Sequence, residues 1–290
     1  MAGKARILRE YLARESLLVA PGVYDGLTAR LVEQAGFEVA YMTGAGTAAA
    51  RGFPDYGLVT ACEMADTAEI IARTIALPLI ADADTGYGNE LNVTRTIRDF
   101  EKRGVAAVHI EDQVAPKRCG HLDGKEIIPA EEFVSKIRAA VAARSDPDFV
   151  IIARTDARAV AGFDEAIARA KAAVAAGADM VFVEAVQDLA EMAAVPAEVK
   201  APCLLNVVPG GKTPAVSYED AQAMGYRLAI LPGAALQVVV PSLDAAFRKL
   251  KEVGLPVPTG APAGDIREAF RRFGSTEWDA LRREHGAAAA

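Results

Sequence analysis

Short apolar runs alternate with longer amphipathic stretches along most of the chain. Four of the apolar runs follow a glycine that closes a helical pattern, and these glycines are Gly36, Gly104, Gly177 and Gly225. Glycine adopts the left-handed backbone conformation without steric cost, so it commonly follows the last turn of a helix. The runs are rich in β-branched and aromatic residues, which is typical of buried parallel strands. The pattern therefore predicts repeated helix–strand units.

Eight apolar runs of this kind are predicted to be strands. Four follow the glycines, and the other four begin at Leu17, Leu77, Phe149 and Pro202. Amphipathic stretches separate the runs, as the segment 91–104 illustrates. Eight strands that alternate with helices predict an α/β fold, the (β/α)8 TIM barrel. A doubly wound open sheet stays the alternative, since alternation alone does not show closure, although no G-x-G-x-x-G motif follows the first run as a dinucleotide-binding sheet would require.

The chain divides at a Pro/Gly-rich stretch that begins at Gly254. We predict the barrel over residues 1–253, and a linker with a C-terminal helical extension over residues 254–290. The extension has helical periodicity with apolar positions such as Phe270 and Trp278. It is too short to form a domain, so we expect it to pack on the barrel or on a neighbouring subunit. The terminal alanines are expected to fray.

Composition and charge exclude several classes of protein. Of the 290 residues, 52% are hydrophobic and 24% are charged, which allows a large core and excludes a disordered or coiled-coil chain. The formal net charge is −7 and no basic tract is present, so we expect no nucleic-acid partner. The apolar runs are short or interrupted, and the charged start of the chain lacks the apolar stretch of a signal peptide. We therefore expect no membrane partner.

Three cysteines lie far apart in the sequence, and none forms a C-x-x-C pair. This spacing argues against a disulfide framework and against a structural zinc site. It favours a reducing compartment, so we expect a cytoplasmic protein. Cys62 begins a predicted helix and Cys203 lies in an apolar strand, and we predict that both serve packing.

Polar residues cluster where the predicted strands end. The carboxyl ends of the strands meet at one face of a barrel, and this face carries the active site in barrel enzymes. Acidic residues at three neighbouring strand ends would repel one another unless protons, bases or a metal neutralise them. In chain order the positions are Thr43 with Gly44 and Ala45, Asp82 with Asp84, Glu111 with Asp112, Arg154 with Asp156, Glu184 and Asn206.

The segment IADADTGYGN is the sharpest local signal for a metal. Asp82 and Asp84 are two residues apart on a strand, so both carboxylates share a face and can approach one ion. Oxygen ligands without nearby Cys or His suit Mg²⁺ or Mn²⁺. The alternative is that Asp84 caps the next helix while Asp82 accepts a backbone hydrogen bond. On this segment alone the two interpretations are balanced, but Glu111 and Asp112 on the next strand favour the metal.

The loop after the fourth predicted strand carries a thiol among cations. Lys117, Arg118 and His121 surround Cys119, and Gly120 makes the turn flexible. Cations stabilise a thiolate, so we predict a depressed pKa for Cys119 and a role in moving a proton near neutral pH. The alternative is a free thiol on a charged surface loop.

Several of these segments together resemble the isocitrate lyase/phosphoenolpyruvate mutase superfamily, from about Leu18 to Pro241. The K-R-C-G-H loop is the most specific of them, because it is similar to the lyase branch and differs from the phosphonate-cleaving branch. The Glu184 strand fits the same pattern. The motifs are TGAG at 43–46, DADTGYGN at 82–89, HIEDQ at 109–113, KRCGH at 117–121 and ARTDA at 153–157.

This resemblance implies a Mg²⁺-dependent barrel enzyme, for which Mn²⁺ is a possible substitute. Such an enzyme cleaves a carbon–carbon bond in a 2-hydroxy di- or tricarboxylate of the dimethylmalate or methylisocitrate type, giving an α-keto acid such as pyruvate and a carboxylate. It implies that Asp84 holds the metal, while Asp82, Glu111 and Asp112 act through water. It also implies a homo-oligomer, a dimer or tetramer, in which the C-terminal helix is swapped between subunits.

The resemblance further implies roles for individual side chains. Cys119 protonates the departing carbanion, Arg154 anchors the α-keto-acid half of the substrate, and Glu111 completes the catalytic set. The implied substrate-binding residues are Tyr41, Thr43, Gly44, Ala45, Asp55, Gly120, His121, Arg154, Glu184 and Asn206.

Two departures from the family pattern bear on the substrate. The family's Ser-Gly-Gly turn is replaced by the residues at 43–45, which is a mild change. Tricarboxylate-cleaving members carry an arginine at the position that corresponds to Gln237, and its absence favours a smaller substrate such as a substituted malate. An oxaloacetate hydrolase or decarboxylase on the same scaffold stays an alternative. A non-catalytic oligomeric barrel is the alternative from another class.

Overall fold

In the computed structural model of the protein, residues 3–254 and 265–286 are described. Eight parallel strands follow one another around a closed barrel in chain order. The barrel closes where the first strand pairs in parallel with the eighth, with Leu18 opposite Leu228 and Ala20 opposite Ile230. The predicted (β/α)8 fold is thus confirmed, and closure excludes the open sheet. The strands are β1 (Leu18–Val23), β2 (Ala40–Met42), β3 (Leu79–Asp82), β4 (Ala107–Glu111), β5 (Val150–Thr155), β6 (Met180–Val183), β7 (Cys203–Asn206) and β8 (Leu228–Leu231).

Helices connect and precede these strands, and local signals set their bounds. The glycines that we predicted as helix stops all have positive φ, from 82° at Gly104 to 102° at Gly177 and Gly225. At the other end, Asp25 and Thr60 cap their helices in capping boxes. The helices up to β8 are α1 (Lys4–Leu12), α2 (Gly26–Gln34), α3 (Gly44–Ala50), α4 (Ala61–Thr74), α5 (Glu90–Lys102), α6 (Ala130–Ala143), α7 (Ala157–Val160), α8 (Phe163–Ala175), α9 (Leu189–Val199) and α10 (Tyr218–Ala223).

Two apolar layers hold the barrel together. One layer lies between strands and helices, where Ile71 of α4 and Ile97 of α5 pack with Val108 of β4. The other fills the barrel interior and includes Phe182, together with Leu8 of α1. All five residues are almost completely buried. This packing leaves the opposite, carboxyl ends of the strands for polar side chains.

A second compact unit spans Gln237–Ala290, and the first spans Met1–Leu236. The second unit therefore begins earlier than the predicted boundary at residue 254. It contains α12 (Ile266–Arg272), α13 (Ser275–His285) and all but the first residue of α11 (Leu236–Val253), so the predicted helical extension is present. The predicted linker at 255–264 and the terminal alanines at 287–290 lie outside the described residues. Swapping of this extension between subunits stays a prediction.

Within the described ranges, no helix combines the length and the apolar character that crossing a membrane requires.

Candidate active site

The strand ends bring most of the predicted site residues together at one end of the barrel. Because all strands are parallel, Thr43 after β2, Asp82 of β3, Glu111 of β4 and Arg154 of β5 lie at the same face. These side chains are buried, as are those of Asp84, Glu184 and Asn206, and the residue Gly44 is buried as well. Ala45 is half-buried.

Backbone contacts fix the orientation of Asp82. Its Oδ1 accepts a hydrogen bond from the backbone N–H of Asp84 at 2.9 Å, and its Oδ2 accepts one from the N–H of Gly44 at 3.2 Å. A Cβ on Gly44 would collide with the Asp82 carboxylate, so glycine allows this approach. The alternative for this segment is half right: Asp82 does accept backbone bonds, but Asn89, and not Asp84, caps α5.

The site lowers the pKa of Asp82 and raises the pKa of Asp84. Burial opposes ionisation of Asp82, but neighbouring cations and the Asp84 N–H lower its pKa to about 2. Burial raises the pKa of Asp84 to about 6, helped by the charges of Asp82 and Asp55 and opposed by Lys117. Two carboxylates this close cannot both ionise cheaply, so the site demands a cation.

Lys117 supplies positive charge to the acids of the site. Its Nζ lies 3.0 Å from Oδ1 of Asp84 and 2.5 Å from Oδ1 of Asp55, and its side chain is only 3% exposed. The acids raise its pKa well above the ordinary value despite the opposing effect of burial. Asp55 therefore joins the site through Lys117, and its backbone oxygen also accepts the N–H of Cys119 at 3.1 Å.

The acids have the chemistry of a magnesium site. Both carboxylate oxygens of the buried Glu111 lack a hydrogen-bond partner, although Arg154 Nε lies 3.2 Å from one of them, and burial raises the pKa of this carboxyl. Among residues 3–254 and 265–286, no three Asp, Glu, His or Cys side chains lie close enough to chelate one ion directly. Mg²⁺ usually keeps several waters and binds only one or two carboxylates. Asp84 with water-mediated help from Asp82 and Glu111 fits that pattern.

Arg154 is the centre of a second charge cluster. Its Nε lies 2.9 Å from Oδ2 of Asp156, and its Nη2 lies 3.2 Å from Oε2 of Glu184. The guanidinium also stands over the ring of Phe182, 5.0 Å from the ring centre. The three surrounding acids, of which Glu111 is the third, outweigh the effect of burial and raise the pKa of Arg154 well above its ordinary value. Arg154 is thus a permanent, oriented cation at the strand ends.

Asp112 does not join the predicted metal set. It follows Glu111 directly, so strand alternation turns it to the opposite face. Its carboxylate accepts hydrogen bonds from the Thr155 hydroxyl at 2.6 Å, from the Asp156 N–H at 2.8 Å and from Arg169 at 3.1 Å. These bonds occupy Asp112 in holding β5 against β4. The expectation that it acts on the metal through water is therefore wrong.

The predicted depressed pKa of Cys119 is also wrong. Burial raises the pKa of this thiol, and the charge of Asp55 raises it further. The flanking cations face elsewhere, because Lys117 binds Asp84 and Arg118 stands 5.5 Å over the Tyr56 ring. Cys119 is accordingly a thiol and not a thiolate at neutral pH. A protonated group is what a proton donor requires.

The remainder of the K-R-C-G-H loop lies against Glu184. A Cβ at Gly120 would stand only 2.6 Å from Glu184 Oε2 and from Arg154 Nη2, so any other residue there would displace these two side chains. His121 Nδ1 accepts the backbone N–H of Lys212 at 3.1 Å, which places the proton of the neutral ring on Nε2, 3.5 Å from Glu184 Oε1. Burial lowers the pKa of His121. Asn206 Nδ2 donates to Glu184 Oε2 at 3.0 Å.

His109 belongs to the buried site through its contact with Tyr41, and the sequence analysis did not predict this. It is completely buried, and its Nε2 lies 2.8 Å from the Tyr41 hydroxyl. Tyr41 itself, which the resemblance implied, lies 3.5 Å from Asp82 Oδ2. Burial lowers the pKa of His109 to about 4, so the ring is neutral at neutral pH. Its position two residues before Glu111 on β4 was the available signal, because both side chains must then face the same way.

The other cysteines differ from each other. Cys203 is buried in β7, and burial raises its pKa to about 12, so the predicted packing role is confirmed. Cys62 is exposed on α4, so its predicted packing role is wrong. All three cysteines are free thiols.

The fold and this site define the chain as a (β/α)8 barrel with a polar face at the carboxyl ends of its strands. Comparison with known sequences identifies the family. Residues 8–251 match the phosphoenolpyruvate phosphomutase family. The chain is 44% identical over 245 residues to 2,3-dimethylmalate lyase of Eubacterium barkeri, across 84% of this chain and 85% of that protein. It is 44% identical over 248 residues to 2-methylisocitrate lyase of Aeropyrum pernix, across 86% of this chain and 80% of that protein.

Solved structures agree with the sequence matches. A crystal structure of 2,3-dimethylmalate lyase matches with a TM-score of 0.94 and 43% identity, covering 100% of this chain and 97% of that one. Oxaloacetate acetylhydrolase with 3,3-difluorooxalacetate matches at 0.93 and 39%, covering 99% of both chains. Phosphonopyruvate hydrolase with oxalate and Mg²⁺ matches at 0.88 and 31%, covering 98% of this chain and 99% of that one. The chain belongs to the phosphoenolpyruvate mutase/isocitrate lyase superfamily, and the resemblance noted in the sequence is confirmed.

Proposed function

We propose that the protein is a Mg²⁺-dependent carbon–carbon lyase that cleaves a 2-hydroxy dicarboxylate to an α-keto acid and a carboxylate. The observation that carries the proposal is one face where a buried acid set, a buried arginine and a loop with a protonated thiol meet. The names of the relatives support it, since two of them are lyases of substituted malate and methylisocitrate.

The acids would hold the metal, with Asp84 as the direct ligand and Asp82 and Glu111 acting through water. When bound, Mg²⁺ would stabilise the negative oxygens of the α-keto-acid half. A related structure is described as a complex with Mg²⁺. The choice of Mg²⁺ over softer metals rests on oxygen donors, which hard cations prefer.

Arg154 would bind the carboxylate of the α-keto-acid half. A guanidinium offers paired, charge-assisted hydrogen bonds to a carboxylate, and Asp156 already fixes its plane. The N–H of Ala45 at the start of α3 would contact the same half of the substrate together with Thr43 and Tyr41. The N–H of Gly44 already donates to Asp82, so Gly44 would contribute through the close approach of its backbone. Glu184, Asn206 and His121 would line the other half, because they form one connected group.

The protein's own groups would move two protons. The C2 hydroxyl loses its proton, and the O–H electron pair forms the carbonyl π bond of the ketone as the C2–C3 bond breaks. The electron pair of the C2–C3 bond ends on C3, as the enolate of the leaving carboxylate. Glu111 would accept the hydroxyl proton, directly or through water, because neither of its oxygens accepts a hydrogen bond and burial raises its pKa, which makes the carboxylate a stronger base. Cys119 would deliver the proton to C3.

Substrate size is proposed from the sequence at Gln237, an exposed residue that the family resemblance aligns with the arginine of tricarboxylate-cleaving members. An arginine can meet the third carboxylate of a tricarboxylate with two charge-assisted hydrogen bonds, whereas a neutral amide gives weaker help. Burying a carboxylate without a cationic partner is costly. We therefore propose a dicarboxylate such as 2,3-dimethylmalate as the substrate, in preference to methylisocitrate.

The test is an assay of the purified protein with Mg²⁺ and a panel of acids: 2,3-dimethylmalate, citramalate, methylisocitrate and oxaloacetate. The proposal expects pyruvate together with propionate from 2,3-dimethylmalate, and faster turnover of this dicarboxylate than of methylisocitrate. Failure of every 2-hydroxy acid to yield an α-keto acid would contradict a lyase.

Oxaloacetate hydrolysis is the second candidate, because oxaloacetate acetylhydrolase covers 99% of the chain with a TM-score of 0.93. Hydrolysis would give acetate and oxalate, and decarboxylation would give pyruvate and CO₂. The same panel separates these products from those of the lyase.

We also propose a homo-oligomer, a dimer or tetramer with a swapped C-terminal helix. The second unit exposes large apolar side chains, with Phe247 62%, Phe270 59% and Trp278 71% exposed. Covering apolar area of this kind commonly drives association. Light scattering coupled to size-exclusion chromatography tests this, and a monomer at micromolar concentration would contradict it. A cytoplasmic location fits the three free thiols.

A further inference from the structure

Lys125 is a buried lysine in the loop between β4 and α6, and it holds two separate parts of the site. Its side chain is 1% exposed. Its Nζ donates to the backbone oxygen of Gly120 at 2.5 Å and to Oδ1 of Asp156 at 2.7 Å. A buried ammonium is costly unless it is fully paired, so these two acceptors account for its burial.

Asp156 connects Lys125 to Arg154. While Oδ1 binds Lys125, Oδ2 accepts a hydrogen bond from Arg154 Nε at 2.9 Å. Burial alone would raise the pKa of Asp156, but the two cations lower it to about 2, so the carboxylate is charged at every working pH. Its backbone N–H is anchored on Asp112. One rigid carboxylate therefore fixes both cations.

The other acceptor of Lys125 places the thiol. Gly120 directly follows Cys119, and its backbone lies so close to Arg154 and Glu184 that an added Cβ would displace their side chains. A carbonyl held at this point restricts the preceding peptide as well, and with it the Cys119 side chain. The ammonium thus joins the residue that follows Cys119 to the carboxylate that orients Arg154.

We propose that Lys125 is a positioning residue: by bridging the Gly120 carbonyl and Asp156, it couples the placement of Cys119 to that of Arg154. Its effect on turnover rests on the proposed lyase function, but its effect on Cys119 does not. Lys125 itself touches no reacting atom. A lysine suits this bridge, because its compact ammonium carries three donors that can serve two acceptors in different directions.

Lys212 provides a matched control. Its Nζ also binds an acid of the same loop, at 2.6 Å from Asp123 Oδ1, but that acid is 94% exposed. An exposed ion pair contributes little to structure. Replacing Lys212 with Met therefore removes a loop ion pair without removing the bridge.

The experiment measures the rate of iodoacetamide alkylation of Cys119 by mass spectrometry, without any substrate or metal. Exposed Cys62 in the same molecule serves as the internal reference. Lys125→Met should raise the Cys119 rate about ten- to a hundredfold, the range expected when hydrogen bonds to a charged group are lost. Lys125→Arg should restore most of the protection, and Lys212→Met should change the rate less than about twofold.

The sign of the change separates positioning from a purely electrostatic effect. Loss of a nearby cation by itself makes a thiol less acidic and slows its alkylation, so a faster reaction reports freed access to Cys119. Thermal melting checks that each variant folds. If Lys125→Met does not fold, Lys125→Gln is used in its place. Equal or slower Cys119 alkylation in the folded variant would overturn the proposal.

Kinetics on 2,3-dimethylmalate keep the two proposals separate. Where the unaltered protein turns over this acid, kcat should be highest in the unaltered protein, lower in Lys125→Arg and lowest in Lys125→Met. The rate of Cys119 alkylation should rise in the same order. Unchanged kcat in Lys125→Met despite faster alkylation would overturn the coupling. Absence of turnover in the unaltered protein counts against the lyase function alone, since the alkylation result stands without a substrate.

Discussion

The ammonium of Lys117 lies 3.0 Å from the carboxylate of Asp84, the residue proposed to hold the metal. The same ammonium is 2.5 Å from Asp55, so one cation serves two acids that belong to different parts of the site. Lys117 belongs to the same loop as Arg118 and Cys119, yet its ammonium pairs with the two acids. The loop and the acid set are therefore linked electrostatically.

Lys117→Met should destabilise the protein when metal is absent. Removing one partner of a buried ion pair leaves uncompensated acid charge and costs about 3–5 kcal/mol. Saturating Mg²⁺ should restore part of the loss, because a bound cation can neutralise Asp84. Urea unfolding with and without Mg²⁺ measures both effects. The control Lys171→Met removes an exposed pair with Glu198 and should cost less than about 1 kcal/mol. An equal loss of unfolding free energy in both variants would contradict the conclusion that the Lys117 ion pairs are buried.

Cys119→Ser should slow turnover about 10²–10⁴-fold, the usual scale for general acid catalysis. Serine has nearly the size of cysteine but is a far weaker acid, so proton delivery suffers while the loop backbone keeps its contacts. Substrate affinity should change little, because Arg154 and the acids remain. Steady-state kinetics measure both parameters, and Cys62→Ser is the control at an exposed thiol. Normal turnover in Cys119→Ser would assign the proton to another group.

The alkaline side of the pH profile should report the Cys119 thiol. Burial raises its pKa above the ordinary value of 9.0, so the proton is present through neutral pH and is lost only as pH rises through this raised pKa. Because the thiol form is the donor, kcat should hold through neutral pH and fall above 9.0. A profile from pH 6 to 10.5 tests this. A kcat that already declines at a pH lower than 8 would contradict a buried, protonated thiol.

Gln237→Arg should shift preference towards the larger acid. An introduced guanidinium offers a partner for a third carboxylate. Losing one partner of a buried charge pair costs about 2–5 kcal/mol, or roughly 30- to several-thousand-fold, and this sets the upper bound of the gain in specificity. The ratio of kcat/KM for methylisocitrate over 2,3-dimethylmalate should therefore rise. Gln237→Lys is the matched control, since it adds charge without the paired donors. A ratio that stays constant in both variants would show that this position does not contact the substrate.

The barrel was predictable because its signals are local. Gly104 and Gly177 mark helix ends through backbone conformation alone, and strand periodicity places Asp82 and Glu111 at strand ends. Parallel topology then requires these ends to meet. No long-range knowledge is needed for that conclusion.

The charge partners were not predictable in the same way. Lys117 lies two residues before Cys119 in the sequence, but its Nζ reaches Asp84, and the direction of a flexible four-carbon side chain cannot be predicted from the sequence. The pKa of Cys119 is set by burial, which depends on residues distant in sequence. For Asp112 the signal did exist, because its alternation with Glu111 turns it away from the acids. The bridge formed by Lys125 depends on loop geometry that no periodicity encodes.

The most direct test of the lyase is the fate of 2,3-dimethylmalate in D₂O, followed by NMR with Mg²⁺ present. The proposed chemistry predicts equal amounts of pyruvate and of propionate carrying one deuterium at C2, because the enolate-like carbanion takes its proton from an exchangeable thiol. The products should disappear in EDTA, return with Mg²⁺ or Mn²⁺, and be absent from folded Asp84→Ala. Formation of pyruvate in excess EDTA would contradict the metal site, and intact 2,3-dimethylmalate, citramalate and methylisocitrate after prolonged incubation with Mg²⁺ would contradict the lyase.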